Sequence, residues 1–147
     1  MEVIIFIGMQ ASGKSTFYLS NFYKSHLRIN LDMLKTRNRE KIIYSACLEA
    51  KQSCVIDNTN PGVADRTRYI EPAKKAGFIV IGYYFEPNLE QCIERNSLRL
   101  GKEKIPVAAL KDTYAKLVAP SLDEGFDQLY SVKVDGKGDF CVTQRQA

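Results

Sequence analysis

The chain has 147 residues, of which 45% are hydrophobic and 26% are charged, and its formal net charge is +4. This length fits a single domain, and this apolar content argues against an intrinsically disordered chain. No stretch approaches the roughly eighteen apolar residues of a membrane span, and the apolar run near the start is too short for a signal peptide. We therefore expect a cytoplasmic globular protein without a membrane segment, whose mild positive charge permits an anionic partner.

The cysteines favour neither a metal site nor a disulfide framework. None of the four cysteines lies in a C-x-x-C motif, and His26 is the sole histidine of the sequence. Zinc sites need closely spaced cysteine and histidine ligands. We therefore expect the thiols to be buried or idle, in a reducing compartment.

The most informative segment follows the first predicted strand, an apolar run over residues 3–7. Gly8, Gly13, Lys14 and Ser15 match the pattern G-x-x-x-x-G-K-[ST] of phosphate-binding loops. In such a loop backbone N–H groups surround a phosphate, the lysine approaches the β- and γ-phosphates, and the serine hydroxyl can ligate Mg²⁺. The pattern predicts a nucleoside triphosphate site, whose donor-binding residues we expect to be Gly8, Gln10, Ala11, Ser12, Gly13, Lys14, Ser15 and Thr16.

Short apolar strands alternate with helix-like stretches along the chain, which is the pattern of an α/β domain with a mainly parallel sheet of about five strands. The later strands are predicted over 27–29, 54–56, 79–85 and 129–134. Helices are predicted over about 13–23, 32–50, 61–76, 88–98 and 106–118, with Pro72 bending or splitting the third. We expect one domain over 1–134 and a loose, polar tail over 135–147, where D-G-K-G-D indicates a turn.

Polar residues follow the carboxyl ends of the predicted strands, which is where ligands bind in open α/β sheets. Asp32 either caps the helix that it begins or accepts the proton of an attacking hydroxyl. Lys35, one turn later, either binds an acceptor phosphate or pairs with Asp32. Asp57 ends the third strand, where it either holds Mg²⁺ or begins a turn in D-N-T-N-P. This convergence on one edge of the sheet indicates a reaction site more strongly than any single motif does.

Arg95 and Arg99 lie four residues apart, so both project from one helical face. Guanidinium groups at a helix end can clamp donor phosphates and stabilise the charge that develops in a transition state. The basic segment G-K-E-K-I-P follows them and indicates a mobile lid over about 95–106. Arg66 or Arg68, on the helix after D-N-T-N-P, could also reach the site.

Together these motifs resemble the 5′-kinase module of polynucleotide kinases. The similarity extends from residue 3 to about residue 134 and rests on G-M-Q-A-S-G-K-S-T, I-N-L-D-M-L-K, V-I-D-N-T-N-P with R-T-R-Y after it, R-N-S-L-R-L-G-K, and I-P…Y…P-S-L-D-E-G-F. The resemblance implies a P-loop NTPase fold of the kinase-like type, a three-layer sandwich with a small helical lid. It also implies transfer of the γ-phosphate of ATP, with Mg²⁺, to a 5′-hydroxyl end of DNA or RNA.

The resemblance implies a role for each matching residue. Asp32 would be the general base, and Lys14 and Ser15 would hold phosphate and metal. Arg95 and Arg99 would be lid arginines that bind the donor and take part in catalysis. Metal binding is expected from Ser15 and Asp57, and substrate binding from Asp32, Lys35, Asp57, Asn58 and Arg66.

One position departs from the family pattern. The family often has arginine one turn after the general base, for the phosphate on the 3′ side of the acceptor, whereas this chain has Lys35. Lysine keeps the charge but loses the bidentate fork, so we expect acceptor affinity or choice to differ. Two other functions fit the same phosphate loop. One is a P-loop kinase of a small metabolite, and the other is a nucleotide-dependent ATPase or switch protein.

Overall fold

A six-stranded sheet forms the centre of the computed structural model, which describes residues 1–135 and 137–146. Its strands are β1 (Glu2–Ile7), β2 (Leu27–Ile29), β3 (Cys54–Ile56), β4 (Ile79–Phe85), β5 (Gln128–Val134) and β6 (Phe140–Gln144). The spatial order is β2-β3-β1-β4-β5-β6. The first five strands pair in parallel, and β6 runs antiparallel to β5.

Helices connect the parallel strands. Within the described residues they are α1 (Lys14–Asn21), α2 (Leu31–Leu34), α3 (Arg37–Glu49), α4 (Val63–Lys75), α5 (Leu89–Ser97) and α6 (Val107–Lys116), with 3₁₀ turns at Gly101–Glu103 and Leu122–Glu124. The helix α4 contains Pro72 and is not split by it. None of the helices in 1–135 and 137–146 combines the length and apolar character that crossing a membrane requires.

Strand β1 is buried and separates two apolar layers. Val3, Ile5 and Ile7 pack with residues of α3 and α4, while Ile4 and Phe6 pack on the opposite face with residues of α1. Successive side chains of a strand point to opposite faces, so a strand covered on both faces is apolar throughout. This arrangement confirms the predicted α/β class and the P-loop NTPase sandwich with a mainly parallel sheet.

The helix predicted over 32–50 is two helices. Helix α2 ends at Leu34, and Lys35 then has a φ of 76°, a left-handed conformation that is unfavourable for a residue with a Cβ atom. The Thr36 side chain accepts a hydrogen bond from the backbone N–H of Arg39 and caps α3. Because a threonine cap satisfies a donor at the start of a helix, it begins a new helix here. This break explains the imperfect helical spacing of the sequence across 36–39.

The segment predicted as a loose tail contains a strand. Strand β6 pairs with β5 from Gln144 opposite Tyr130 to Phe140 opposite Val134, and the Phe140 ring packs edge-on against Phe17 with 5.1 Å between ring centroids. The prediction is therefore wrong for 140–144, because Phe140, Val142 and Thr143 favour a strand and pair with β5, although the polar, glycine-containing residues before them indicated a loose tail. Residues 136 and 147 of the predicted tail, and with them part of the D-G-K-G-D turn, lie outside the described residues.

Candidate functional site

The phosphate loop joins β1 to α1 at the carboxyl edge of the sheet. Gly13 has a φ of 95° and caps α1, so the N-terminal N–H groups of this helix are available to an anion. A Cβ atom on Gly13 would lie 3.0 Å from the Phe140 ring, and one on Gly8 would lie 2.8 Å from Phe85 Cβ. Both glycines are therefore required by close packing as well as by the motif.

A cavity of about 320 Å³ opens beside this loop. The tertiary structure brings together around it residues that follow the first three strands and a residue of the lid segment. The predicted site residues that line it are Gln10, Ala11, Gly13, Lys14, Ser15, Thr16, Asp32, Asp57, Asn58 and Arg99. One cavity therefore contains groups predicted for the donor, for the metal and for the acceptor.

Lys14 lies at the bottom of this cavity and is 9% exposed. Its ammonium group donates hydrogen bonds to the carbonyl oxygens of Gly8 and Met9. Burial lowers the pKa of Lys14 to about 8, although the nearby Asp57 carboxylate acts in the opposite direction. A cation in such a poorly hydrated position attracts phosphate more strongly than it would in water.

Two further polar groups of the loop are buried without a partner. Gln10 Oε1 and Ser12 Oγ make no hydrogen bond to any described residue. Buried polar groups are normally paired, because an unpaired group loses its hydration without compensation. Gln10 lines the cavity and Ser12 does not, so Gln10 is the one of the two that lies beside a ligand bound there.

Ser15 and Asp57 provide oxygen ligands that suit Mg²⁺. Ser15 Oγ donates to Asp57 Oδ2 over 3.3 Å. The Arg28 side chain donates to both, with Nε 2.8 Å from Asp57 Oδ2 and Nη2 2.9 Å from Ser15 Oγ. Mg²⁺ usually takes one or two protein oxygens together with phosphates and water. The pair fits that ion by its donor chemistry, and the Arg28 guanidinium, which now donates to both oxygens, would have to move away for the ion to bind.

Asp32 lies in the first turn of α2 and does not cap it. The cap is Asn30, whose Oδ1 accepts a hydrogen bond from the backbone N–H of Met33 and whose Nδ2 donates to the Asp57 carbonyl. Among the described residues, the Asp32 carboxylate has no hydrogen bond or ion pair to another side chain. It lines the cavity and is available to accept a proton there.

The D-N-T-N-P motif ties the strand ends to one another. Asn58 accepts a hydrogen bond from the backbone N–H of Leu31 through Oδ1 at 2.9 Å and donates to Glu40 Oε2 at 2.9 Å. Asn60 Nδ2 donates to the Phe6 carbonyl at 2.8 Å. Leu31, the residue before Asp32, is therefore held by Asn58 of the D-N-T-N-P motif.

The two lid arginines have different positions. Arg99 lines the cavity, and its Nη1 donates to the Glu103 carbonyl at 3.3 Å. Arg95 does not line it, but its Nη1 donates to the Ala11 carbonyl at 3.3 Å. Both arginines thus lie close to the phosphate loop, and Arg99 is the one with access to the cavity.

Arg66 does not line the cavity, which corrects its expected position at the substrate. It is 0% exposed, and its Nε and Nη2 donate to Glu124 at 2.7 and 3.1 Å. Its Nη1 donates to the carbonyl oxygens of Asn60, Pro61 and Val118. Because its donors are already used inside the protein, we assign Arg66 a structural role.

Lys35 is also absent from the residues that line the cavity. It is exposed in the break between α2 and α3. Arg37, which follows two residues later, lines the cavity instead. Sequence reasoning missed Arg37 and Glu40, because both belong to a charged run that has no local sign of burial or pairing, and Arg28, because nothing in the short strand β2 indicates its contact with Asp57.

Comparisons with known proteins agree with this architecture. A model of the AAA domain family matches residues 24–120. The "Bifunctional polynucleotide phosphatase/kinase" of Schizosaccharomyces pombe is 27% identical over 135 residues, which cover 89% of this chain and 33% of that protein. The "Putative bifunctional polynucleotide phosphatase/kinase" of Acanthamoeba polyphaga mimivirus is 32% identical over 139 residues, with the same two shares.

These relatives confirm the resemblance that the motifs indicated, but the chain spans about a third of the length of either protein. Among solved structures, a sugar kinase from Janibacter superposes with a TM-score of 0.70 at 17% identity, over 90% of this chain and 85% of that one. At an identity this low, the superposition shows a shared fold and nothing more.

Proposed function

This chain belongs to the AAA domain family, and from that premise and the shared cavity we propose that it is an ATP- and Mg²⁺-dependent polynucleotide 5′-hydroxyl kinase. The observation that carries the proposal is that Lys14 and Asp32 line one cavity. A phosphate donor and a hydroxyl acceptor could therefore meet there. The names of the two curated relatives support a polynucleotide as the acceptor.

In the proposed reaction the donor phosphates lie on the loop. The N–H groups at the start of α1 and the Lys14 ammonium bind the β- and γ-phosphates, and Arg99 lies over the opposite side. Bound Mg²⁺ would neutralise phosphate charge, and Ser15 and Asp57 would hold it. These groups position the donor and stabilise the charge that develops during transfer.

On the acceptor side Asp32 acts as the general base. Its carboxylate takes the proton of the 5′-hydroxyl, and the oxygen attacks the γ-phosphorus in line. The bond from the γ-phosphorus to the β,γ-bridging oxygen breaks, and ADP leaves with that electron pair. Asn58 and Asn30 hold the short α2 helix in place through the hydrogen bonds described above.

The test is a transfer assay with labelled ATP and Mg²⁺ on two acceptor series, one of 5′-hydroxyl oligonucleotides and one of small hydroxylated metabolites. We expect label on the oligonucleotides, and the series includes both DNA and RNA. We expect Asp32→Asn to lower the transfer rate by about 10²–10⁴-fold, the usual contribution of a positioned base, and to leave ATP affinity unchanged.

Asp112→Asn is the matched control, because Asp112 is 63% exposed and pairs only with Lys116 on its own helix among the described residues. Label on metabolites alone would show that the protein is a small-molecule kinase. Tight ATP binding without transfer to any hydroxyl would show a nucleotide-dependent switch or ATPase. Wild-type rates in the Asp32→Asn variant would contradict the assignment of the base.

A further inference from the structure

A second cavity, of about 310 Å³, lies between α3 and α4. Its inner surface is mainly apolar and is contributed by Tyr44, Leu48, Tyr69 and Pro72. Its volume is at the lower limit for small-ligand pockets, about 300 Å³, so it suits a group the size of one nucleoside. Neither the phosphate loop nor the proposed base lines it.

The two cavities share a wall. Arg37 lines both, and its Nη1 donates to Glu40 Oε1 and to the Tyr69 hydroxyl, each at 3.0 Å. On the other side of Glu40, Asn58 Nδ2 donates to Oε2 at 2.9 Å. Because Asn58 lines the first cavity and Tyr69 the second, Arg37 and its partners lie between the two cavities.

The second cavity is electropositive. Glu40 is the one acidic residue among the described residues that line it, and it is 3% exposed with both oxygens hydrogen-bonded. The three cations Arg37, Lys41 and Arg68 are exposed at its edge, with 52% of the Arg37 side chain accessible. Exposed cations beside an apolar surface match a ligand that combines phosphates with a nucleobase.

We propose that the acceptor strand crosses Arg37 and that its second nucleotide, counted from the 5′ end, occupies the second cavity. This inference rests on the proposed polynucleotide kinase activity. Arg37 binds the phosphate between the first and second nucleotides, in place of the exposed Lys35. The second nucleobase packs on the carbon surfaces of Tyr44 and Pro72, and Lys41 and Arg68 bind the phosphate that follows.

The test compares acceptors of increasing length at constant salt. The probes are a nucleoside 3′-phosphate, a dinucleotide 3′-phosphate and a tetranucleotide, each with a 5′-hydroxyl and each in the deoxy and ribo series. We expect the wild-type KM to fall by about tenfold or more once a second nucleotide is present, since packing on an apolar surface and a phosphate contact are both added. Lys41→Ala and Arg68→Ala should each make this fall in KM several-fold smaller. Each should also make the KM for the longer acceptors less dependent on salt, by the amount expected for the loss of about one phosphate contact.

Lys75→Ala is the matched control, because Lys75 is exposed on α4 and lines neither cavity but carries the same charge. A second pair of variants tests the cavity itself. Ser45→Trp adds a large side chain to an exposed residue of α3 that lines the cavity, and Ser20→Trp does so on α1, away from it. We expect Ser45→Trp, and not Ser20→Trp, to abolish the fall in KM with increasing acceptor length. Both variants should keep the wild-type unfolding midpoint.

The outcomes separate the two proposals. Wild-type protein that phosphorylates oligonucleotides with a KM independent of length would refute the second cavity and leave the proposed activity intact. The second cavity would also be refuted if Lys41→Ala and Arg68→Ala changed the dependence of KM on acceptor length no more than Lys75→Ala does. Wild-type protein that phosphorylates no oligonucleotide would refute the proposed activity, and the second cavity as an acceptor site with it.

Discussion

At the scale of single residues, Lys14 shows how the fold prepares a side chain for a ligand. Its ammonium group is buried against two backbone carbonyl groups, and burial lowers its pKa to about 8 from the ordinary 10.5. A bound phosphate places negative charge beside the ammonium group, which raises the pKa again. ATP binding and proton uptake are therefore linked at this residue.

We expect ATP affinity to fall as the pH rises above about 8. Above the pKa of the free protein, binding must first protonate Lys14, so each pH unit costs up to about tenfold in affinity until the pKa of the complex is reached. Below about 8 the lysine is protonated in both states and contributes no pH dependence. Calorimetric titration in buffers of different ionisation enthalpy measures this proton uptake directly.

Lys14→Arg is the control for this linkage, because a guanidinium group stays protonated over the whole range. The variant's ATP affinity, even if weaker than that of the wild-type protein, should lack the pH dependence between about 7 and 9 that Lys14 causes. Equal proton uptake by the wild-type protein and the variant would show that another group is responsible.

At the scale of elements, the buried Arg66–Glu124 pair connects α4 to the 3₁₀ turn before β5. The guanidinium group also holds the Val118 carbonyl, at the end of the segment that follows α6. These contacts join parts of the chain that lie 52 and 58 residues apart. The arginine thus stabilises the arrangement around D-N-T-N-P and is not free to bind substrate.

We expect Arg66→Ala to lower the free energy of unfolding by about 3–5 kcal/mol, because it leaves Glu124 buried and without its partner. Chemical denaturation measures this change. Lys116→Ala breaks the exposed Asp112–Lys116 pair and should have little effect, since exposed pairs contribute little. If Arg66→Ala kept the wild-type midpoint and lost only acceptor binding, Arg66 would be a substrate residue after all.

At the scale of the whole molecule, the cavity depends on the sheet as well as on the phosphate loop. The ends of β1, β2 and β3 and the segment after α5 all contribute to it, while β6 supports the loop from behind through Phe140. A ligand that binds there is bound by the folded protein and not by the unfolded chain. Its binding energy therefore adds to the stability of the fold.

We expect ATP with Mg²⁺ at a hundred times its Kd to stabilise the protein by about 2.7 kcal/mol. For a chain of this size that corresponds to an increase in Tm of about 5–10 °C, measurable by thermal denaturation followed by circular dichroism. Lys14→Ala should lose most of the shift at the same ATP concentration. A wild-type Tm that does not respond to ATP would contradict the nucleotide site.

Local patterns predicted most of the strands and helices. A strand such as β1 is apolar over its full length, and the glycines and proline at element ends are visible in a single window of sequence. The break at Lys35 and the strand β6 were not predicted, because the apolar residues on both sides of Thr36 indicated one helix and the polar residues before 140–144 indicated a tail, whereas Thr36 caps a new helix and 140–144 pair with β5. Glu40 could not be recognised as buried, because its hydrogen bonds with Asn58 and Tyr69 join distant parts of the chain.

The sequence by itself determined the phosphate loop, the apolar strands with helices between them, and the places of Asp32 and Asp57 after two of these strands, because each depends on neighbouring residues. Only the tertiary structure decided that Arg66 is used inside the protein, that Asn58 holds the backbone N–H of Leu31, and that Arg37 lies between two cavities. These facts depend on contacts between residues far apart in the chain. No local pattern records such contacts, since burial and pairing arise only when the elements pack together.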